Sequence, residues 1–195
     1  MKVLSTLACL SGMPLLFTGC LSPSVPTTPS SWSVEYVADK PASRPAAEGA
    51  TRGSVRVSQV VVRAPYDVRE LTVLRPDGSL AFDPYNQFAA APAALLKGAV
   101  LDAFRRHGDF RAAVSAGSRL PTDLAVETTV TRLALDCRET GTRRACVELS
   151  LLLLKDGAAY ASADGAGVAD AADGDYSRAF SAAFSQAISR ALEDL

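Results

Sequence analysis

Leu124-Ala125-Val126-Glu127-Thr128-Thr129-Val130-Thr131-Arg132-Leu133-Ala134-Leu135 alternates apolar and polar residues, and the alternation changes phase part-way. Leu124, Val126 and Val130 are even-numbered, whereas Leu133 and Leu135 are odd. Strand side chains change face at every residue, so a shift by one predicts a β-bulge near Thr131 or Arg132. The partner strand runs through Val147, Leu149, Leu151 and Leu153, with Leu152 and Leu154 apolar as well, as in a strand covered on both faces. Lys155-Asp156-Gly157 is a tight-turn signal that leads into a weaker strand around Ala158 to Ala163. The Ala/Gly/Asp-rich stretch from Asp164 to Gly174 reads as a loop.

Beyond it lies the clearest element of the chain. Tyr176, Phe180, Phe184, Ile188 and Leu192 repeat every four residues, which predicts a helix with one core-facing stripe, capped by Asp173 or Asp175. Upstream, Ala91-Pro92 opens a second helix in which Leu96, Val100 and Phe104 recur at the same spacing. Its broad apolar stripe, flanked by Leu95, Ala99 and Ala103, needs a sheet beneath it. Arg105, Arg106 and His107 suit its last turn, and Gly108 supplies the stop. Shorter strands are predicted for Trp32 to Val37, for the valine-rich run Val55 to Val62, for Val68 to Arg75, for Leu80 to Phe82 and for Phe110 to Val114. Pro76-Asp77-Gly78-Ser79 turns 68–82 into a hairpin, because Pro presets φ and Gly accepts positive φ.

The N-terminus carries different information. Lys2, an apolar run through Leu10, and then Leu15-Leu16-Phe17-Thr18-Gly19-Cys20 have the layout of an export signal. The run is too short to span a bilayer as a helix, which takes ~20 apolar residues. Small residues before Cys20 resemble a bacterial lipobox, which implies cleavage after Gly19 and acylation of Cys20. Several acyl chains hold a protein durably, each buried methylene contributing ~0.8 kcal/mol. Leu21 stands where Asp would signal inner-membrane retention, so the outer membrane is expected. Residues 20–31 are nearly all Ser, Thr and Pro beyond Leu21 and form an extended tether. Residues 32–195 then form one domain.

Removing residues 1–19 leaves 176 residues with 19 basic against 21 acidic side chains. That size builds one proper core, and that charge is no nucleic-acid footprint. Of the four cysteines, Cys9 leaves with the signal and Cys20 is the lipid site. Cys137 and Cys146 flank a turn centred on Gly141-Thr142, and equal offsets would place them opposite each other. In an exported protein such a pair is expected to form a disulfide.

Catalysis finds no motif: there is no GxSxG elbow, HExxH, Walker loop or Rossmann fingerprint. His107 is the single histidine and reads as a helix-end cation. Asp164, Asp170, Asp173 and Asp175 lack calcium-loop spacing. The expectation is a protein that is not an enzyme and carries neither cofactor nor metal.

The ordered run Val60-Val61-Val62-Arg63-Ala64-Pro65-Tyr66-Asp67, Leu71-Thr72-Val73-Leu74-Arg75, then Tyr85-Asn86-Gln87-Phe88-Ala89-Ala90-Ala91-Pro92 resembles the ABC-type transport auxiliary lipoprotein family, which includes PqiC-like lipoproteins of MCE-type lipid transporters. Phe88 stands where the family commonly has Trp. Gly108-Asp109-Phe110 with Val114 extends the likeness, which covers roughly residues 32–194. The resemblance implies an α+β fold, a two-layer domain with two helices on a mainly antiparallel sheet. It also implies a non-catalytic role beside an MCE protein, an ABC permease and an ATPase, with Tyr66, Tyr85 and Phe88 as candidate partner contacts. Homo-oligomerisation stays open. The competing readings are an assembly lipoprotein that partners a β-barrel or cell-wall protein, and a module that carries lipid itself in a cavity left by the small residues of 158–171.

Overall fold

The computed structural model describes residues 28–38 and 52–195. Eight strands and two helices follow in the order β1 (Ser30–Trp32), β2 (Arg52–Val62), β3 (Glu70–Leu74), β4 (Leu80–Phe88), α1 (Pro92–His107), β5 (Phe110–Ser115), β6 (Leu124–Asp136), β7 (Arg144–Lys155), β8 (Ala158–Asp170) and α2 (Tyr176–Glu193). The fold is α+β, with both helices on one face of a single sheet.

β6 is the axis of that sheet. One edge pairs antiparallel with β7, which in turn pairs with β8. Its other edge is shared: the first half pairs parallel with β2, and its end pairs with β3. The predicted bulge is present, since the register with β7 slips between Val130 and Arg132. It keeps Val126, Val130, Leu133 and Leu135 on the core face despite their change of parity, and all four are buried.

The longest ladders, β6–β7 and β7–β8, are antiparallel as expected, and parallel pairs make the sheet mixed. β2 runs parallel to both β5 and β6, and β1 runs parallel to β4. Parallel neighbours need a long crossover, and α1 provides it by carrying the chain from β4 over to β5 at the β2 edge.

Two expectations are corrected. The stretch 164–170 is not loop: β8 continues through it to Asp170, paired residue for residue with β7 as far as Arg144. Trp32 to Val37 is not a strand: only Ser30–Trp32 pairs, against Asn86–Phe88, and 33–38 runs on as irregular chain. The expected tether thus overlaps β1 by two residues. The hairpin of β3 and β4 forms around its Pro76–Ser79 turn, with Gly78 at φ 81°.

The core lies between sheet and helices. α1 contributes Leu96, Val100 and Phe104; α2 contributes Phe180, Phe184, Ile188 and Leu192. Asp175 caps α2 by accepting from the Arg178 amide, and Gly108 ends α1 in the left-handed region at φ 88°. A second stripe on α2, Ala179, Ala183, Ala187 and Ala191, is buried as well. It rides on Gly165 and Gly167 of β8, where a Cβ on either glycine would overlap the backbone of Ala187 or Ala183. The small residues of β8 therefore admit a helix at close range. On the core side of Gly165 and Gly167, the space that the lipid-cavity reading would need is taken up by α2.

Candidate functional site

With both helices on one face, the other face of the central strands has no second layer among the described residues. Its rows follow from the register: Arg56, Ala125 and Leu154; Gln59, Glu127, Leu152 and Ser162; Val61, Thr129, Ser150 and Asp164; then, past the bulge, Arg132, Glu148 and Ala166. Leu152 and Leu154 are half-buried, so the expectation that β7 is covered on both faces is corrected to one covered face. Val61 and Val168 are well exposed. Among the charges on this face, Arg132 pairs with Glu148 at 3.2 Å, Arg56 donates to the Ser118 and Leu120 carbonyls, and Asp164 accepts from Ser150 at 2.5 Å. The result is a broad, nearly neutral surface of mixed apolar and polar character, suited to a protein partner.

At the end of this face sit three arginines, each with a carboxylate: Arg132 with Glu148, Arg138 with Asp136 at 2.7 Å, and Arg144 with Glu139. The groove they line, of about 230 Å³, offers no unpaired cation to an anion. Arg138 holds the Asp136 carboxyl below its usual range, chiefly by its side-chain hydrogen bond. Elsewhere the Ser54 amide and hydroxyl do the same for Asp123, which fastens the 116–123 loop to β2. His107 is half-buried at the end of α1, with Nδ1 3.4 Å from Asp109. Among the described residues no group of His, Cys, Asp and Glu is arranged to hold a metal. No helix among them is long and apolar enough to cross a membrane.

The chain leading in from the N-terminus is built into the fold. Trp32 is buried against Phe88 (ring centroids 4.4 Å apart), Phe180 (5.2 Å) and Tyr176 (6.4 Å). Residues 33–37 then lie along α2 on a ladder of serines one turn apart. Ser177 donates to the Ser33 carbonyl, Ser181 accepts from the Glu35 amide, and Ser185 accepts from the Val37 amide. Alternating burial of Val34 and Tyr36 imitates a strand, but the hydrogen bonds go to helix side chains. A shallow groove of about 430 Å³ lies beside it, lined by Glu35, Val37, Arg178 and Gln186.

The predicted site residues are scattered. Cys20 lies outside the described residues. Phe88 is 1% exposed and belongs to the aromatic cluster, Tyr66 is half-buried against the core, and Tyr85 is 41% exposed on β4. Only Tyr85 is displayed. Sequence reasoning missed the serine ladder and the open face, the latter because nothing along one strand reveals whether a third layer exists.

Cys137 and Cys146 do not face each other. The register sets Cys146 opposite Ala134 and Asp136 opposite Arg144, so Cys146 is three residues away from the position facing Cys137. Cys137 also continues the core-side parity of Leu133 and Leu135, whereas Cys146 has the open-face parity of Glu148. Thiols aimed to opposite faces cannot bridge without backbone movement, and both are free here. Burial pushes both thiols up from their ordinary pKa. Thiol titration of unreduced protein is therefore expected to give two groups in urea. In native protein at pH 8 the reaction should be slow, because little thiolate is present.

A family model for the ABC-type transport auxiliary lipoprotein component matches residues 36–195. No curated protein sequence matches the chain. Among solved structures, a Xanthomonas campestris protein of the DUF330 family superposes with a TM-score of 0.60 at 20% identity, over 83% of this chain and 88% of that one. An uncharacterized protein follows with a TM-score of 0.51 at 16% identity, over 73% and 80%. The PelC dodecamer subunit of Paraburkholderia phytofirmans gives 0.43 at 11% identity, over 75% and 89%. The two better superpositions share the fold, and the match over 36–195 takes in every element from β2 to α2: the chain belongs to the ABC-type transport auxiliary lipoprotein family.

Proposed function

We propose that the protein is the lipid-anchored, non-catalytic accessory of an MCE-type ABC lipid-transport system, docking the periplasm-spanning MCE protein at the outer membrane. The observation that carries this reading is the family match beginning at residue 36, directly behind the lipobox-like stretch ending in Cys20 and its Ser/Thr/Pro tether. Cleavage after Gly19 and acylation of Cys20 would confine the domain to one membrane surface. Confinement raises the effective concentration of a docking surface where its partner arrives, with no new contact needed. The open face of β6, β7 and β8 is the docking surface in this reading, with Tyr66, Tyr85 and Phe88 the partner contacts that the sequence offers for the docking protein. The residue after Cys20 is Leu21, which supports the outer membrane over the inner.

The test is mild-detergent purification of the full-length acylated protein from its own host, with mass spectrometry of what accompanies it. An MCE protein, with or without its permease, is the expected companion. Recovery of only a barrel or cell-wall protein would replace this reading with an assembly role. Thr129→Arg, in the middle of the open face, is expected to leave folding intact and to lower MCE recovery at least ~10-fold, since an unpaired charge is placed in the contact.

A further inference from the structure

β4 carries an apolar patch at the β3–β4 edge of the open face, beyond the strands β6, β7 and β8 assigned to docking: Leu80 pairs with Leu74, and Leu74 with Asp136, on that same face. Leu80 is 40% exposed and Phe82 49%, and their spacing of two puts them on one face of the hairpin. Leu74, the cross-strand partner of Leu80, is half-buried beside them. Tyr85 is exposed further along the same strand. Exposed aromatic and aliphatic residues gathered on one hairpin mark a surface with an occupant.

The course of the chain indicates which occupant. β1 is parallel to β4, with Ser30 opposite Asn86 and Trp32 opposite Phe88. Traced from Trp32 back to Ser30, β1 therefore runs toward the end of β4 that bears Tyr85, Phe82 and Leu80. Cys20 is ten residues further back, a span of about 30 Å when drawn out as polyproline. An acylated Cys20 thus keeps this end of the domain within reach of the bilayer.

We infer that Leu80 and Phe82, with Tyr85 at their margin, rest in the membrane interface as a second, protein-borne contact beside the acyl anchor. This rests on the reading of Cys20 as the lipid site. The side chains suit the depth: Phe and Leu enter the acyl boundary, while Tyr keeps its hydroxyl at headgroup level. The charges nearest in sequence, Arg75, Asp77 and Asp83, have no basic excess, so the contact depends on apolar burial and not on anionic lipid. A second copy of the chain fits less well, because three side chains fall far short of the ~800 Å² per partner of a standard interface. The contact would fix the domain's tilt on the membrane, where the tether alone leaves it free.

The experiment is fluorescence quenching by lipids brominated on the acyl chain. Full-length acylated protein carrying Phe82→Trp is reconstituted at low surface density in vesicles of phosphatidylethanolamine and phosphatidylglycerol, with intact mass reporting the acyl chains. Trp32 is the natural protein's single tryptophan and is buried, so the unsubstituted protein provides the unquenched baseline. The introduced indole is expected to lose about half its emission or more, as an interfacial side chain does, and to do so equally at low and high salt. Leu80→Trp serves as the second variant and should behave alike. An unquenched indole on protein whose mass shows the acyl chains overturns the patch and spares the anchor. Shielding that appears only as surface density rises assigns the patch to a second copy and overturns it too. A mass without acyl chains fails the anchor, and the patch assignment with it.

Discussion

Gly167→Ala is expected to lower the stability of the domain by about 3 kcal/mol, at the upper end of the usual cost of overpacking. For a domain of this size that is a fall in Tm of roughly 6–12 °C. A Cβ built at Gly167 overlaps the Ala183 carbonyl and approaches the Ala187 amide; at Gly165 it overlaps the Ala187 carbonyl and crowds the Ala191 methyl. These obstacles are helix backbone, which cannot swing aside as a long side chain does. Relief requires α2 to lift from β8. That movement would loosen the contacts of Phe180, Phe184 and Ile188, all fully buried, and interiors at crystal-like density do not absorb such a shift cheaply. Ala166→Ser, one residue away on the exposed face, is the control and should stay within ~0.5 kcal/mol of the parent. Urea and thermal unfolding read both. If Gly167→Ala matched the control, the close approach of helix and strand would be refuted.

The same contact explains what the sequence hid. β8 has neither β-branched density nor aromatic alternation from Ala161 to Ala166, and Ala, Gly and Asp are poor strand formers by composition. It is held as a strand by its ladder to β7 and by a helix that demands small residues beneath it, and both constraints are tertiary. The large stripe of α2 was legible at a spacing of four, while the alanine stripe beside it was not, because alanine marks no face. β6 and its bulge were legible because the bulge shifts the phase of a strongly alternating strand. Parallel pairing of β2 with β5 and β6 was not legible, since it depends on where α1 delivers the chain. For the candidate site the limits were similar. An apolar Leu152 looks the same in a sandwiched strand and on an open face, and equal spacing of Cys137 and Cys146 about a turn misplaced them because the true register is offset from that turn.

Phe88→Ala is expected to cost about 3–5 kcal/mol, the range for emptying a buried aromatic site. Phe88 is 1% exposed, lies 4.4 Å from Trp32 and meets Phe180 edge-on at 5.9 Å. Its removal opens a hole where β4, β1 and α2 converge, the point at which the chain from the N-terminus enters the core. Against a total stability of ~5–15 kcal/mol, this places the variant near the threshold of folding. Trp32 reports locally: its emission should shift to the red in Phe88→Ala as water reaches the indole. Phe88→Leu keeps most of the volume, should cost less than about 2 kcal/mol, and should recover accompanying proteins as the parent does once yields are normalised to folded protein. A side chain that touched a partner directly would give the opposite pair of results: Phe88→Leu folded like the parent yet failing to bind, and Phe88→Ala with Trp32 emission unchanged. Burial argues for the first pattern, because an aromatic enclosed by Trp32 and Phe180 can influence docking only through the scaffold it completes.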